Sequence, residues 1–293
     1  MGALDGIQEE IRRVADQVSN AVVGIGQRWG VGSGVVLGKD QVLTNAHNVR
    51  GDEVDVTFHD GRIATGRIAG VDVDGDIAVI SVETGDLPAI EWATDGVPQL
   101  GTPVFALANP GGRGLRVTLG FITGVERSFR GPRGRRITGS VEHDAPLLPG
   151  SSGGPIVNAE GRLLGLNTNR LGEGFYLAIP ADEALRGQVD GLGRGESKDR
   201  VRLGIGVAPM HVARRMRRAV GLPDADGLLV RMVEDDSPAA RAGLAEGDLI
   251  VLAGGKVVRG IDDLFEALGA ADGSIQLIIL RGTDERAVDV QLS

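Results

Sequence analysis

The sequence contains no cysteine, which excludes disulfides, thiolate metal sites and cysteine nucleophiles together. It leaves the redox compartment undecided. A basic excess is also missing: 31 Lys and Arg stand against 40 Asp and Glu, for a net charge of −9. A protein built to grip nucleic acid carries the opposite balance, so nucleic acid is not expected as the main partner. No apolar run approaches the roughly 20 residues of a membrane-spanning helix. The opening MGALDGIQEEIRRVADQVSN is acidic early and has no apolar signal core. As written the chain reads as cytoplasmic, and as extracytoplasmic if a natural leader was removed.

What is present points to a β-rich chain. At 293 residues, two domains are the prior. Short Val/Ile/Leu runs alternate with turns drawn from 47 glycines. Leu4, Ile7, Ile11, Val14 and Val18 recur at three- and four-residue steps, the spacing of an amphipathic helix that caps the next domain or meets another subunit. From Ala21 onward come AVVGIG, SGVVLG, QVLTNA, EVDVTF, RIATGRIAGV and DIAVISV, and then PVFALA, RVTLGFITGV, GRLLGLNT and GFYLAIP. They fall into two strand-rich halves, about 20–98 and 99–180. Pro180 is expected to start a short helix, ADEALRGQV. The expected divisions are an N-terminal helix over 1–19, a strand-rich domain over 20–190, a linker over 191–200 and a mixed α/β domain over 201–293.

The chemistry centres on PGSSGGP, residues 149–155. Glycines around Ser152 permit a tight turn, let a substrate backbone approach and can aim N–H groups at one point. The segment also fits the G-x-S-x-G nucleophile elbow of an esterase. That arrangement needs a helix after the serine and a later histidine, whereas Pro155 and a strand-like run follow. A serine needs a base, and only four histidines exist. His59 lies in a hairpin turn, His143 on a strand nine residues before Ser152, and His211 in the C-terminal unit. His47 follows the apolar strand QVLTNA into a loop. Asp76 opens the run DIAVIS, where a carboxylate needs a partner. Asp72 and Asp74 are alternatives by spacing alone. A calcium loop over 72–83 is rejected because Ile77 occupies the position that needs glycine, so no metal is expected. GVVLGKD lacks the residues of a phosphate-binding loop. No cofactor is expected.

In sequence order GSGVVL, LTNAH, DGDIAVI, LANPGG and PGSSGGPIVNAEGRLLGLNT resemble the HtrA/Deg family of serine proteases. The resemblance implies a mostly β fold of two chymotrypsin-like β-barrels, preceded by the N-terminal helix and followed by a small mixed α/β PDZ domain. It implies a triad of His47, Asp76 and Ser152 in the cleft between the barrels, and an oxyanion hole from the backbone N–H groups of Gly150, Ser151 and Ser152. The implied substrate pocket is lined by Leu147, Leu166, Asn167 and Thr168. The stretch Ala145–Leu148 before the nucleophile loop holds no carboxylate to pair with Lys or Arg, so cleavage after small or medium aliphatic residues is expected. Two positions depart from the family pattern: Ser151 replaces a usual asparagine and Asn48 a usual valine.

RLGI, 202–205, resembles a PDZ carboxylate-binding loop, supported by SPAARAGLAEGDLIVLAGGKVV. Leu203, Gly204 and Ile205 would cradle a peptide C-terminus, which adds as a strand. Leu264 and Leu268, one turn apart, line the groove or belong to the core. Five arginines in RSFRGPRGRR, 127–136, read as a solvated loop in the place of a regulatory loop of the family. The expected partners are unfolded polypeptides and C-terminal peptides, with a homotrimer assembled through the N-terminal segments. The expected function is ATP-independent endoproteolysis of unfolded or damaged proteins. The alternative is a non-proteolytic chaperone-like or peptide-binding scaffold that keeps the fold.

Overall fold

The computed structural model describes residues 2–26, 31–93, 96, 98–131, 136–172, 174–196 and 202–292. Residues 132–135 of the arginine-rich stretch and 197–200 of the expected linker lie outside them. The chain divides into two units, Met1–Asp199 and Arg200–Ser293.

The first unit begins with α1 (Ala3–Val18). Only half of its apolar stripe is covered: Val14 and Val18 are buried, whereas Leu4 and Ile7 are exposed. Arg13 Nη2 donates to the Ala159 carbonyl at 2.5 Å and Gln17 Nε2 to the Glu160 carbonyl at 2.7 Å. These bonds hold the covered half of the helix on the β-structure.

Six strands follow: β1 (Val22–Ile25), β2 (Gly32–Gly38), β3 (Gln41–Thr44), β4 (Glu53–Thr57), β5 (Ile63–Asp72) and β6 (Ile77–Ser81). They close into an antiparallel barrel in the order β1-β2-β3-β6-β5-β4, with β1 pairing β4. A second barrel is built from β7 (Pro103–Ala108), β8 (Arg116–Arg130), β9 (Arg136–His143), β10 (Pro155–Val157), β11 (Leu163–Arg170) and β12 (Tyr176–Pro180). Its order is β10-β11-β12-β9-β8-β7, closed by β10 on β7. Closure gives each strand of either barrel a neighbour on both sides.

The continuous apolar runs arise because both faces of a strand are covered. In β7, Val104 and Ala106 pack with Ile122, Val141 and Ile156. The intervening Phe105 and Leu107 join a larger cluster with Val14, Ile25, Leu43 and Ile80. That cluster unites α1 and both barrels, so the cleft between them has a rigid floor.

Pro180 ends β12, paired with Gly165, rather than starting a helix. The helix is α2 (Glu183–Gly193), and its N-cap is Asp182, whose carboxylate accepts the Leu185 N–H at 2.8 Å. A capping carboxylate satisfies an orphan donor, which proline cannot do. α2 runs to Gly193, so the first three residues of the expected linker are helical. Leu185, Val189 and Leu192 bury its inner face.

The second unit comprises β13 (Ile205–Ala208), α3 (Met210–Ala219), β14 (Leu228–Val233), α4 (Pro238–Arg241), β15 (Leu249–Ala253), β16 (Lys256–Val257), α5 (Ile261–Gly269), β17 (Ser274–Arg281) and β18 (Asp284–Gln291). The sheet order is β13-β14-β15-β17-β18, with β16 on β15. Ser237 caps α4 by accepting the Ala240 N–H at 3.1 Å. Buried Asp248 is met by Arg281 through two 2.8 Å bonds.

The Asp182 cap gives a stability prediction. Asp182→Ala is expected to cost about 1 kcal/mol, read as a lower urea midpoint at unchanged slope. An unchanged midpoint would show that the cap does not support α2.

Candidate active site

Asp76 lies between β5 and β6, where the chain turns sharply. Asp72 shapes that turn by accepting the N–H groups of Asp74 and Gly75 at 2.9 Å each, and the Gln188 amide of α2 also reaches it. The turn leaves Asp76 with φ +58°, an uncommon conformation for a side-chain-bearing residue. The Asn45 side chain donates to the Asp76 carbonyl at 2.9 Å and helps to hold it there.

The Asp76 carboxylate is buried, 1 % exposed, and fully engaged. His47 sits on the short turn Ala46–Asn48 after β3. Its Nδ1 lies 2.9 Å from both carboxylate oxygens, and its backbone N–H is 3.2 Å from Oδ1. The Thr168 hydroxyl donates to Oδ2 at 2.6 Å. A ring nitrogen facing a carboxylate carries the proton, which leaves His47 Nε2 as the acceptor.

Thr168 reaches Asp76 because β11 is irregular there. Asn167 pairs with Ala178 and Asn169 with Leu177, so Thr168 is the unpaired residue of a bulge. Bulges re-aim side chains beside functional sites. The same residue also meets Ser152, whose Oγ donates to the Thr168 carbonyl at 2.9 Å. Among the described residues, no hydrogen bond joins Ser152 Oγ to His47. Thr168 thus touches the serine with its carbonyl and the aspartate with its hydroxyl.

The loop that carries Ser152 is held from several sides. Ser33 N–H donates to the Ser152 carbonyl at 2.8 Å, and Ser33 Oγ to the Gly150 carbonyl at 2.9 Å. Gly153 N–H donates to the Asn167 carbonyl at 2.7 Å, and Gly154 N–H to the Ser151 carbonyl at 3.0 Å. Ser151 N–H is consumed inside the turn by the Leu148 carbonyl at 3.1 Å, so it is not a free donor. Among the described residues, the N–H groups of Gly150 and Ser152 donate to nothing. β10 follows the loop, where an esterase elbow needs a helix.

A cavity of about 160 Å³ beside Ser152 is lined by Leu147, Leu148, Pro149, Asn167, Thr168 and Tyr176, with Asn169 and Arg170 at one side. No carboxylate lines it. Leu166 does not line it. Its side chain is fully buried in the cluster that joins the barrels. Tyr176, whose OH donates to the Leu147 carbonyl at 3.2 Å, and Arg170 take part unexpectedly. They come from the strand paired with β11 and from the far end of β11, places that local spacing around Ser152 does not reveal.

His143 is buried behind this cavity, stacked at 5.8 Å on Tyr176. Its Nε2 lies 2.9 Å from Asn167 Oδ1, and its Nδ1 has no partner. The Asn167 amide nitrogen donates to the Gly154 carbonyl at 3.0 Å, which assigns its oxygen to His143 and the ring proton to Nε2. Burial holds the imidazole below its ordinary range, offset in part by the Asn167 bond and the charges of Asp144 and Glu142. His59 lies in the exposed turn after β4, and His211 is exposed on α3.

In the second unit Leu203 is buried, and its carbonyl accepts the Ala239 N–H at 2.9 Å. Gly204 has φ +74°, and a Cβ there would lie 2.3 Å from Ser237. Among the described residues, the Leu203 and Gly204 N–H groups have no partner. Ile205 opens β13, which among the described residues pairs only with β14 and so lies at the edge of the sheet. Leu264 and Leu268 are buried in the core of this unit, where Ile205 and Val207 pack against the same cluster.

Residues 32–166 match the family described as trypsin-like peptidase domain, and residues 229–281 match the PDZ domain. The chain is 31% identical over 279 residues to the serine endoprotease DegS of Escherichia coli K12, across 90% of this chain and 76% of DegS. It is 36% identical over 249 residues to HhoB of Synechocystis sp., across 81% of this chain and 59% of HhoB. A DegP-like protein of Halomonas elongata is 32% identical over 273 residues, and the chain spans only 56% of its length. Among solved structures, the serine endoprotease from Yersinia pestis superposes with a TM-score of 0.66 at 28% identity, over 96% of each chain. The HtrA-type protease AlgW with tripeptide superposes with a TM-score of 0.62 at 28% identity, over 96% of each chain.

Fold and site together define a trypsin-like protease domain followed by a PDZ domain. The chain belongs to the HtrA/Deg family of serine proteases.

The bare Nδ1 of His143 makes stability depend on pH. The fold favours the neutral ring, whereas the unfolded chain takes up a proton near pH 6.5, to about the accuracy of model peptides. Stability is therefore present above about pH 6.5 and falls as the pH drops through that value. His143→Gln keeps a donor for Asn167 and cannot titrate. Its melting temperature is expected to fall less than the wild type's between about pH 7.5 and about pH 5.5, by scanning fluorimetry. Parallel slopes would remove His143 as the cause.

Proposed function

We propose that this protein is an ATP-independent serine endopeptidase that cleaves unfolded or damaged polypeptides, with a PDZ domain that binds peptide C-termini. The observation that carries the reading is the contact of His47 Nδ1 with both oxygens of buried Asp76 at 2.9 Å, with Thr168 linking that carboxylate to Ser152. Ser152 Oγ rotates from the Thr168 carbonyl to His47 Nε2, which takes its proton as Oγ attacks the scissile carbonyl. Asp76 stabilises the imidazolium that forms. The unspent N–H groups of Gly150 and Ser152 receive the developing oxyanion, and each such donor is worth roughly 3 kcal/mol. His47 then protonates the leaving amine, and water releases the acyl group by the same steps in reverse.

The primary pocket favours small or medium aliphatic side chains, since it is small, bounded by Leu147 and Leu148, and free of carboxylates. In the PDZ unit, the unpaired N–H groups of Leu203 and Gly204 hold a terminal carboxylate, and the peptide extends the sheet along β13. Assembly is as a trimer, with the uncovered Leu4 and Ile7 of α1 available for subunit contact. The scaffold alternative draws on one observation, the Ser152 hydroxyl directed at Thr168 rather than His47.

Fluorophosphonate labelling and casein digestion separate the two readings. Both activities are expected in the wild type, and both are expected to vanish in Ser152→Ala and to drop at least a thousandfold in His47→Ala. Proteolysis that persists in Ser152→Ala would overturn the peptidase reading, and absence of both activities in the wild type would favour the scaffold. Casein products are expected to end in Ala, Val or Leu, and products ending mainly in Lys or Arg contradict the pocket assignment. Light scattering that shows a monomer refutes the trimer.

A further inference from the structure

Asn48 immediately follows His47 on the turn Ala46–Asn48. Its side chain crosses from the first barrel to the nucleophile: Nδ2 donates to the Ser152 carbonyl at 2.9 Å and to the Thr44 hydroxyl at 3.0 Å. Thr44 Oγ1 in turn donates to the Ser33 carbonyl at 2.7 Å, and the Ser33 N–H donates to the same Ser152 carbonyl at 2.8 Å. The Ser152 carbonyl thus receives two donors, and both come from the barrel that carries the base.

The space for this amide is built by two glycines. A Cβ on Gly32 would lie 2.3 Å from Asn48 Cγ, and a Cβ on Gly153 would lie 2.9 Å from Asn48 Nδ2 and 2.1 Å from the Ser33 carbonyl. None of these distances is compatible with a real side chain, so Asn48 occupies a cradle that only glycine leaves open. The peptide between Ser152 and Gly153 is held at its other end by the Asn167 carbonyl, which accepts the Gly153 N–H at 2.7 Å. One bond thereby ties the residue beside the base to the main chain of the nucleophile.

We infer that Asn48 is a positioning residue that sets the register between His47 and Ser152 by holding the Ser152 carbonyl across the barrel cleft. It touches no reacting atom, and the inference rests on the assignment of His47 and Ser152 proposed above. Removal of its donor leaves pocket and oxyanion donors in place and loosens only the approach of hydroxyl to imidazole. Small misplacements of reacting groups are costly in rate, so the effect falls on the chemical step rather than on binding.

The test uses the full chain and an alkyl fluorophosphonate, with labelling rates resolved into the maximal inactivation rate and the half-saturating concentration. Asn48→Val and Asn48→Asp both remove the donor, and the second also keeps the side-chain shape. Both are expected to lower the maximal rate by about tenfold, with the half-saturating concentration within about twofold and the circular-dichroism melt preserved. If the valine variant does not fold, the aspartate variant supplies the reading. Labelling at the wild-type rate in a folded variant would falsify the inference. A loss of rate matched by an equal loss of folded protein in both variants also overturns it, since Asn48 would then be structural only. Wild-type protein that takes no label at Ser152 would instead sink the catalytic assignment itself, which keeps the two failures apart.

Discussion

The structure turns on a carboxylate that water barely reaches. Burying Asp76 is costly unless its oxygens find donors, and the donors come from both barrels: the His47 ring and backbone from the first, the Thr168 hydroxyl from the second. The hydrogen-bonding demand of one side chain thus ties the two barrels together at the cleft. It also selects the tautomer of His47, leaving Nε2 as the acceptor. The left-handed backbone at Asp76 is sustained by the Asp72 turn below it and by the Asn45 bond to its carbonyl. Strain at that point is tolerated because the surroundings over-determine it.

Around this centre the chain uses main-chain carbonyls as handles. Gly150, Ser152 and Thr168 each present a carbonyl to a side-chain donor. The Gly153 N–H is bound, whereas those of Gly150 and Ser152 are left over. The proposed oxyanion hole arises by exclusion in this way: donors consumed by the turn, as at Ser151, are subtracted, and those without a partner among the described residues remain. The PDZ loop follows the same logic, with the Leu203 and Gly204 carbonyls spent on Ala239 and Glu234 and the N–H groups left unspent.

Much of this was legible in the sequence, and the physical reason is periodicity. The apolar runs from AVVGIG to GFYLAIP mark strands because both of their faces are covered, and the ordered motifs around His47, Asp76 and Ser152 mark the ends of strands that open into the cleft. Where sequence reasoning failed, a local rule was overridden by a neighbour. Pro180 looks like a helix start, but pairing with Gly165 keeps it in β12 and the cap passes to Asp182. Leu166 looks like a pocket residue by proximity to Thr168, but it points into the core before the bulge changes the alternation. Tyr176 and Arg170 could not be found from the nucleophile motif, since only pairing of β11 with β12 brings them there. The exposed Leu4 and Ile7 show the converse limit: an apolar stripe declares a buried face without stating where cover stops.

The bulge at Thr168 has a genetic consequence. Its hydroxyl is a side-chain feature and can be removed by substitution, so the support it lends to Asp76 is open to selection. The carbonyl that accepts the hydrogen bond of the Ser152 hydroxyl belongs to the peptide backbone and survives every amino-acid replacement at that position. The acceptor for the serine hydroxyl in this orientation is therefore encoded in the path of the chain rather than in the side chain at position 168. Reshaping the pairing of β11 and β12 would retune it.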